Sequence, residues 1–270
     1  MKQCIFYVIK EIYKSIVNFL LNTLVIVEFE VRKVFHQPSE IIFRSLQPIL
    51  WLLMFGQVIS HEIVTHEKVA YIDFLTPGIL AQSVLFIAIF NGIAVIWERD
   101  MGIIQKLLVA PIHRSSIVLG KGLGSAIRAV SQLVIVYALA YFLKVNIDWS
   151  FSAIAGVFLF IVLGAVLFST FSLVIACIVK TRERFMGIGQ VLTMPLFFAS
   201  NAIYPVTAMP PWLKAIAHSN PLTYEVDALR TIMLQGISST YGLGFDFLVL
   251  VLIILLLTIV GTILYPRLVY

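Results

Sequence analysis

Apolar positions follow two different patterns along this chain, and the change from one to the other separates its elements. Near the N-terminus Ile5, Ile9, Ile12, Ile16 and Phe19 recur at steps of four and three, the spacing of one helical face, while Lys10, Lys14, Asn18 and Asn22 fall on another. The most apolar part, between Lys14 and Glu28, is too short to cross a hydrocarbon core of about 30 Å. Residues 3–36 are therefore expected as an amphipathic helix, or two, along a membrane interface, within an N-terminal region covering 1–40. His36-Gln37-Pro38-Ser39-Glu40 breaks this pattern, with Ser39 placed to cap the next helix.

From there the chain reads as long apolar runs separated by short polar intervals. Spans are expected at about 41–59, 71–97, 119–143, 151–179, 185–203 and 247–264, making residues 41–270 one all-α domain of six transmembrane helices. Pro48 bends the first, Pro77-Gly78 lies near the outer end of the second, and Pro195 interrupts the fifth. Ser152, Gly156 and Gly164 give the fourth small faces for close packing. Arg44, Lys121 and Arg128 sit near inner ends, where snorkelling to headgroups explains them. Residues 204–246 are too apolar for a free loop. They divide at Asn220-Pro221 into two short outer re-entrant helices, with Trp212 and Tyr224 at headgroup depth.

Composition agrees with a membrane setting: 60% of residues are hydrophobic and 12% charged. Of the 19 Lys and Arg residues, fifteen fall on segments that share a side with the N-terminus and four on the other. The positive-inside rule then places both termini in the cytosol, and a plasma-membrane location is expected. The net charge of +5 belongs to a membrane face, and nucleic acid is not an expected partner. Cys4 and Cys177 are too far apart to suggest a disulfide framework.

The most charge-rich interval between apolar runs is Trp97–Lys121. Glu98, Arg99 and Asp100 end one span, and Gly102–Ala110 forms a short amphipathic helix with Gln105 and Lys106 on its wetter side. Pro111 stops that helix, and Ser115 or Ser116 caps the next. Such a helix–turn–helix is either a solvated loop carrying topology charges or a docking element for a soluble partner, touched through Ile103, Leu107 or Leu108. Two apparent motifs fail. His61 and His66 are five apart, which rotates them by about 140° on a helix and off a common zinc-binding face. Gly120-Lys121 lacks the earlier glycine and the following Ser or Thr of a phosphate loop. No metal or cofactor is expected on this chain, and ATP with Mg must be handled by another.

The run Glu98-Arg99-Asp100, Gly102, Leu107-Leu108, Pro111, Arg114 and Gly120-Lys121 resembles the cytosolic signature of ABC-2-type transporter permeases, and with Lys106 these residues are the expected ATPase-coupling set. Pro77-Gly78, Pro205…Pro210 and Asn220-Pro221-Leu222-Thr223-Tyr224…Ala228-Leu229-Arg230 extend the resemblance from about Phe35 to Leu264. Within the family the chain is most similar to drug-resistance and nodulation-type exporter permeases, with polysaccharide-exporter permeases as near relatives. The resemblance implies a permease homodimer served by two copies of a separate ATPase. It also implies a coupling helix within Trp97–Arg114 and a connecting helix at residues 3–36. A path for amphipathic, lipid-linked or drug-like cargo would involve Phe86, Phe90, Asn91, Thr193, Phe197 and Asn201, each of which also suits ordinary helix packing. Two other classes stand beside the exporter: a non-transporting scaffold or sensor, and an intramembrane enzyme, for which the spans carry few ionisable residues.

Overall fold

The computed structural model describes residues 2–36, 38–60, 70–179 and 181–268; His61, Glu62, His66, Lys68 and Lys180 lie outside the described residues, as do the side chains of residues 1–13. Over the described residues ten α-helices run in order: α1 (Lys2–His36), α2 (Pro38–Ser60), α3 (Tyr71–Asp100), α4 (Ile103–Val109), α5 (Arg114–Phe142), α6 (Phe151–Ile178), α7 (Arg182–Phe198), α8 (Pro211–Ser219), α9 (Pro221–Met233) and α10 (Leu243–Leu264). Short 3-10 turns at Val206–Ala208 and Tyr265–Leu268 complete the described elements.

Among the described residues four helices are long and apolar enough to cross a membrane: α3, α5, α6 and α10. α6 is apolar on every side, and such a helix belongs in the middle of a bundle. It packs against α3, α5, α9 and α10. Leu75, Ile79, Leu80 and Leu85 of α3 and Val157, Ile161 and Phe168 of α6 are almost wholly buried in the shared core.

Two expected spans come out differently. α7 stops at Phe198 instead of 203, because residues 199–204 turn away after Pro195; its 17 residues rise about 26 Å, short of a core of about 30 Å. α2 begins at Pro38, so Ser39 lies inside its first turn and does not cap it. Its described apolar stretch is Ile41–Met54.

α1 is a single helix of 35 residues, and it is docked on α5 instead of lying apart from the bundle. The buried positions Thr23, Ile26, Glu30 and Val34 continue the stripe of Ile16 and Phe19 at the same steps of three and four. Gly120 and Gly124 of α5 make the seat: a Cβ at Gly120 would lie 2.6 Å from Ile26, and one at Gly124 2.4 Å from Glu30.

At the opposite end of the bundle α8 and α9 do divide at Asn220-Pro221. The Asn220 side chain caps α9 by accepting from the Leu222 N–H at 3.0 Å, while its amide donates to the Leu196 carbonyl at 2.6 Å. Trp212 is 66% exposed, whereas Tyr224 is buried and donates to the His218 carbonyl. Arg230 is buried as well. It donates to the Asn201 carbonyl at 2.7 Å and lies over the Phe74 ring, pinning α9 to α3.

Candidate functional site: the α3–α4–α5 junction

The junction is built by one residue that permits a reversal and one that enforces a stop. Gly102 has φ of 72°, a left-handed conformation that costs glycine nothing, and its N–H donates to the Arg99 carbonyl at 2.9 Å. α4 then makes two turns. Ala110 before Pro111 is extended, ψ 145°, as the proline ring requires of its predecessor. α5 begins at Arg114 with His113 as its cap residue, so neither Ser115 nor Ser116 caps it. Ser116 is instead buried, and its hydroxyl donates across to the Phe19 carbonyl of α1 at 3.3 Å.

α4 has two unlike faces. Ile104 is fully buried in a second core formed by Ile96, Ile117, Phe185 and Tyr265, with Leu107 and Leu108 half-buried against it. Gln105 and Lys106 point outward, and Val109 is 88% exposed. Much of the apolar surface expected to meet a partner is therefore occupied by the chain itself. Val109 is the apolar side chain left open. Pro111 and Arg114 are also exposed.

Glu98, by contrast, turns inward. Its side chain accepts from Lys33 of α1 and from Lys121 of α5. Lys121 also reaches Glu30 at 3.3 Å, Lys33 reaches Glu30 at 3.0 Å, and Arg128 approaches it at 3.8 Å. Glu30, Glu98, Lys121 and Arg128 are all at least nine-tenths buried. Burial alone would push the Glu30 carboxyl up, but Lys121, Lys33 and Arg128 together hold it below its ordinary value. The snorkelling expected of Lys121 and Arg128 does not occur, because buried carboxylates are within reach. Only Arg44 stays partly exposed, with its guanidinium over the Phe90 ring. Glu30 and Lys33 were not among the expected site residues; the signal available was an acid interrupting the stripe between Ile26 and Val34.

Arg99 and Asp100 form an outer layer. Asp100 accepts from Arg99 at 2.8 Å and from Arg182, at the start of α7, at 2.7 Å. Arg182 also lies 4.1 Å from the centre of the Trp97 ring. These groups are partly exposed, so water weakens their attraction.

Beside the junction α1, α2, α3 and α5 enclose a cavity of about 690 Å³ that includes Phe90, Asn91, Trp97 and Arg128 in its wall. The expected cargo-path residues thus divide into two groups. Phe86 and Phe90 stand together, 6.5 Å between ring centres, with Asn91 next to them on α3. Thr193, Phe197 and Asn201 are buried elsewhere: Thr193 donates to the Gly189 carbonyl, and Phe197 packs on Trp51. Among the described residues no His, Cys, Asp and Glu cluster suits a metal ion.

Residues 22–234 of this helical membrane bundle match the family model described as ABC-2 type transporter. The chain belongs to that family: it is a membrane permease subunit of an ABC transporter, a class that works with ABC ATPase subunits. It is 29% identical over 197 residues to a protein named as transport permease ycf38 from Cyanophora paradoxa, covering 72% of this chain and 68% of that one. Over 209 residues it is 25% identical to the daunorubicin resistance ABC transporter permease protein DrrB1 of Streptomyces coeruleorubidus, covering 77% and 73%. Over 184 residues it is 27% identical to the inner membrane transport permease YadH of Escherichia coli K12, covering 67% and 70%.

Proposed function

We propose that this chain is the permease of an ATP-driven exporter. Two copies, served by two copies of a separate ATPase, move an amphipathic, lipid-linked or drug-like molecule out of the cytoplasm. The chain crosses the plasma membrane six times, α2 and α7 adding to the four longer spans, with α7 completing its crossing through the buried turn at residues 199–202, and both termini lie in the cytosol. A name such as that of the daunorubicin resistance relative supports outward transport of a drug-like molecule. Gly187 on α7, where an added Cβ would meet nothing within 4 Å, supports α7 as a close-packing face for the second copy.

One observation carries the coupling role. α4 is seated by Ile104 in the permease core while Gln105, Lys106 and Val109 are open to a partner. A push on the open face reaches α3 and α5 directly, because both are joined to α4 by turns and to each other and α1 through Glu98. Work done by ATP in a soluble subunit needs a rigid element of this kind to reach the spans.

The test is a Lys106→Glu, Val109→Asp double variant in the assembled complex. Co-purification of the ATPase and stimulation of its turnover should both fall, with unfolding temperature unchanged since neither side chain is buried. A complex with full stimulation would make α4 an ordinary connector. Topology is checked separately. A cysteine at position 106 should be shielded from an impermeant outside label, and one at 214 should react.

A further inference from the structure

Glu225 is set where a charge has no ordinary place. Along the shared face of α9 and α6 the Asp148 N–H donates to the Met233 carbonyl at 2.7 Å, Ile232 packs on Gly156, and Glu225 lies against Gly164. The two helices therefore run antiparallel, with the start of α9 deepest in the bundle. Gly164 is the fourteenth of the 28 residues of α6, about 20 Å from Phe151 and close to the middle of a span. A Cβ at Gly164 would overlap both carboxyl oxygens, so the bare backbone there makes the seat. Neither oxygen has a hydrogen-bond partner among the described residues. An unpaired carboxylate at that depth is too costly to persist, whereas a carboxylic acid is not.

The elements packed on α9 bring few ionisable groups to this end of the bundle. α6 brings none, its one titratable side chain being Cys177, about 20 Å along the helix from Gly164. α3 brings Tyr71, which donates to the Ile203 carbonyl at 3.3 Å, and Asp73, which accepts from the Asn146 N–H at 3.0 Å. α8 brings Lys214 and the exposed His218. On α9 itself Tyr224, Asp227 and Arg230 turn to partners of their own. α10 brings Asp246, fully buried, with Oδ1 lacking a hydrogen-bond partner among the described residues.

Asp246 connects the seat to water. The Ser239 hydroxyl has one hydrogen and faces two carboxyls, Asp227 at 2.7 Å and Asp246 at 3.3 Å. A proton on Asp246 completes that arrangement, because a protonated carboxyl is itself a donor. Ser239 is partly exposed and Thr240 fully so. Phe247, next to Asp246, meets the Phe160 ring at 6.5 Å, one turn of α6 from Gly164. The two buried carboxyls thus approach the same stretch of α6, one near water and one in mid-span. We propose that Glu225 is a proton-binding site in the middle of the bilayer, exchanging its proton through Asp246 with water at the end of the bundle opposite α4. As α9 shifts from α6, the acid gives its proton to an admitted water, leaving carboxylate and hydronium; reseating takes the proton back. The site belongs to this chain alone and does not rest on the export reading.

The experiment is infrared spectroscopy of the purified full-length chain in phosphatidylcholine nanodiscs at neutral pH, where an ordinary glutamate is more than about 99% ionised. The native chain should show the carbonyl stretch of a protonated carboxyl that Glu225→Gln removes and Glu225→Asp retains at a displaced frequency. Replacing water by D2O should shift the band, which reports exchange of the proton. Asp246→Asn and Ser239→Ala should each slow that shift at least about tenfold while leaving the Glu225 band in place. An acid band that Glu225→Gln leaves untouched would overturn the inference, as would a spectrum with no acid band. So would deuteration in either relay variant as fast as in the native chain, since Asp246 would then not be the way in. The assay needs no ATPase, so its failure leaves the coupling proposal standing, and failure of coupling leaves this proton measurable.

Discussion

Glu98, on the last turn of α3, and Lys121, two turns into α5, are joined as an ion pair with side chains only 3% and 6% exposed. Lys33 of α1 shares the same carboxyl, and Glu30 of α1 shares the same ammonium. The pair therefore holds three helices at once. Taking two charges out of water is expensive, and the arrangement persists only because each charge meets more than one partner.

Glu98→Gln should destabilise the chain by about 1–3 kcal/mol, because Lys121 and Lys33 then share the single carboxylate of Glu30. Thermal unfolding in detergent measures the loss, and faster proteolysis at Arg32 and Lys33 reports release of α1. Adding Lys121→Met should recover part of it, since groups in one network do not contribute independently. An unchanged unfolding temperature for Glu98→Gln would mean that packing alone seats α1.

The same network gives α1 a pH dependence with a definite sign. The Glu30 carboxyl is held below its ordinary value of 4.5 in the folded chain. Its contribution is complete above that value and is lost as pH falls through the lowered one. Acidification below about pH 4.5 should loosen α1 from α5 in the native chain. Glu30→Gln, already loosened at neutral pH, should show a shallower dependence over that interval, read by protease access to α1.

Glu225 on α9 is the opposite case. It is wholly buried, neither carboxyl oxygen has a hydrogen-bond partner among the described residues, and burial pushes it well above the ordinary carboxylate range. A raised acid contributes stability that is full below its unfolded value and lost as pH rises. Glu225→Gln should therefore unfold at the same or a higher temperature than the native chain at neutral pH. Gly164→Ala should do the reverse: a Cβ there would lie 2.1 Å from a Glu225 carboxyl oxygen, and such overpacking costs about 1–3 kcal/mol. Thermal unfolding of both variants across pH checks the pair. A lower unfolding temperature for Glu225→Gln would show that the carboxyl has a partner worth keeping.

Asp227 organises the turn between α9 and α10. It accepts from the Ser239 hydroxyl at 2.7 Å and from the Thr240 N–H and hydroxyl, each at 2.9 Å. Asp227→Ala should leave those donors unpaired and speed amide exchange at residues 239–242 by at least about tenfold, with no change at α4. Unaltered exchange there would mean that the turn is held by its own backbone.

What the sequence made legible was whatever one helix determines by itself. The bounds of α3, α5, α6 and α10 come within about five residues of the expected spans, since continuous apolarity is a local property. So is the break at Asn220-Pro221, where proline chemistry acts on adjacent residues. The end of α7 was not legible, because Ala199, Ser200 and Ala202 are as compatible with a helix as with the turn they adopt. Nor was the network, for Glu30 lies 68 residues from Glu98 and 91 from Lys121. Glu98 alone reads as the polar end of a span, and only the docking of α1 turns it inward. On α4 the periodicity identified the apolar residues but not how many of them the chain would keep for its own core.

The polar seat of α1 also bears on how the chain is made. α1 is synthesised before α5, yet two of the three cations that satisfy Glu30, Lys121 and Arg128, reside on α5, which is completed only at residue 142. Until α5 is in place, the apolar stripe carrying Thr23 and Glu30 has no seat on the bundle. The seating of α1 can therefore be completed only after the middle of the chain has been made. Its docking belongs to the late steps of folding, because Glu30 meets Lys121 and Arg128 only once α5 is in place.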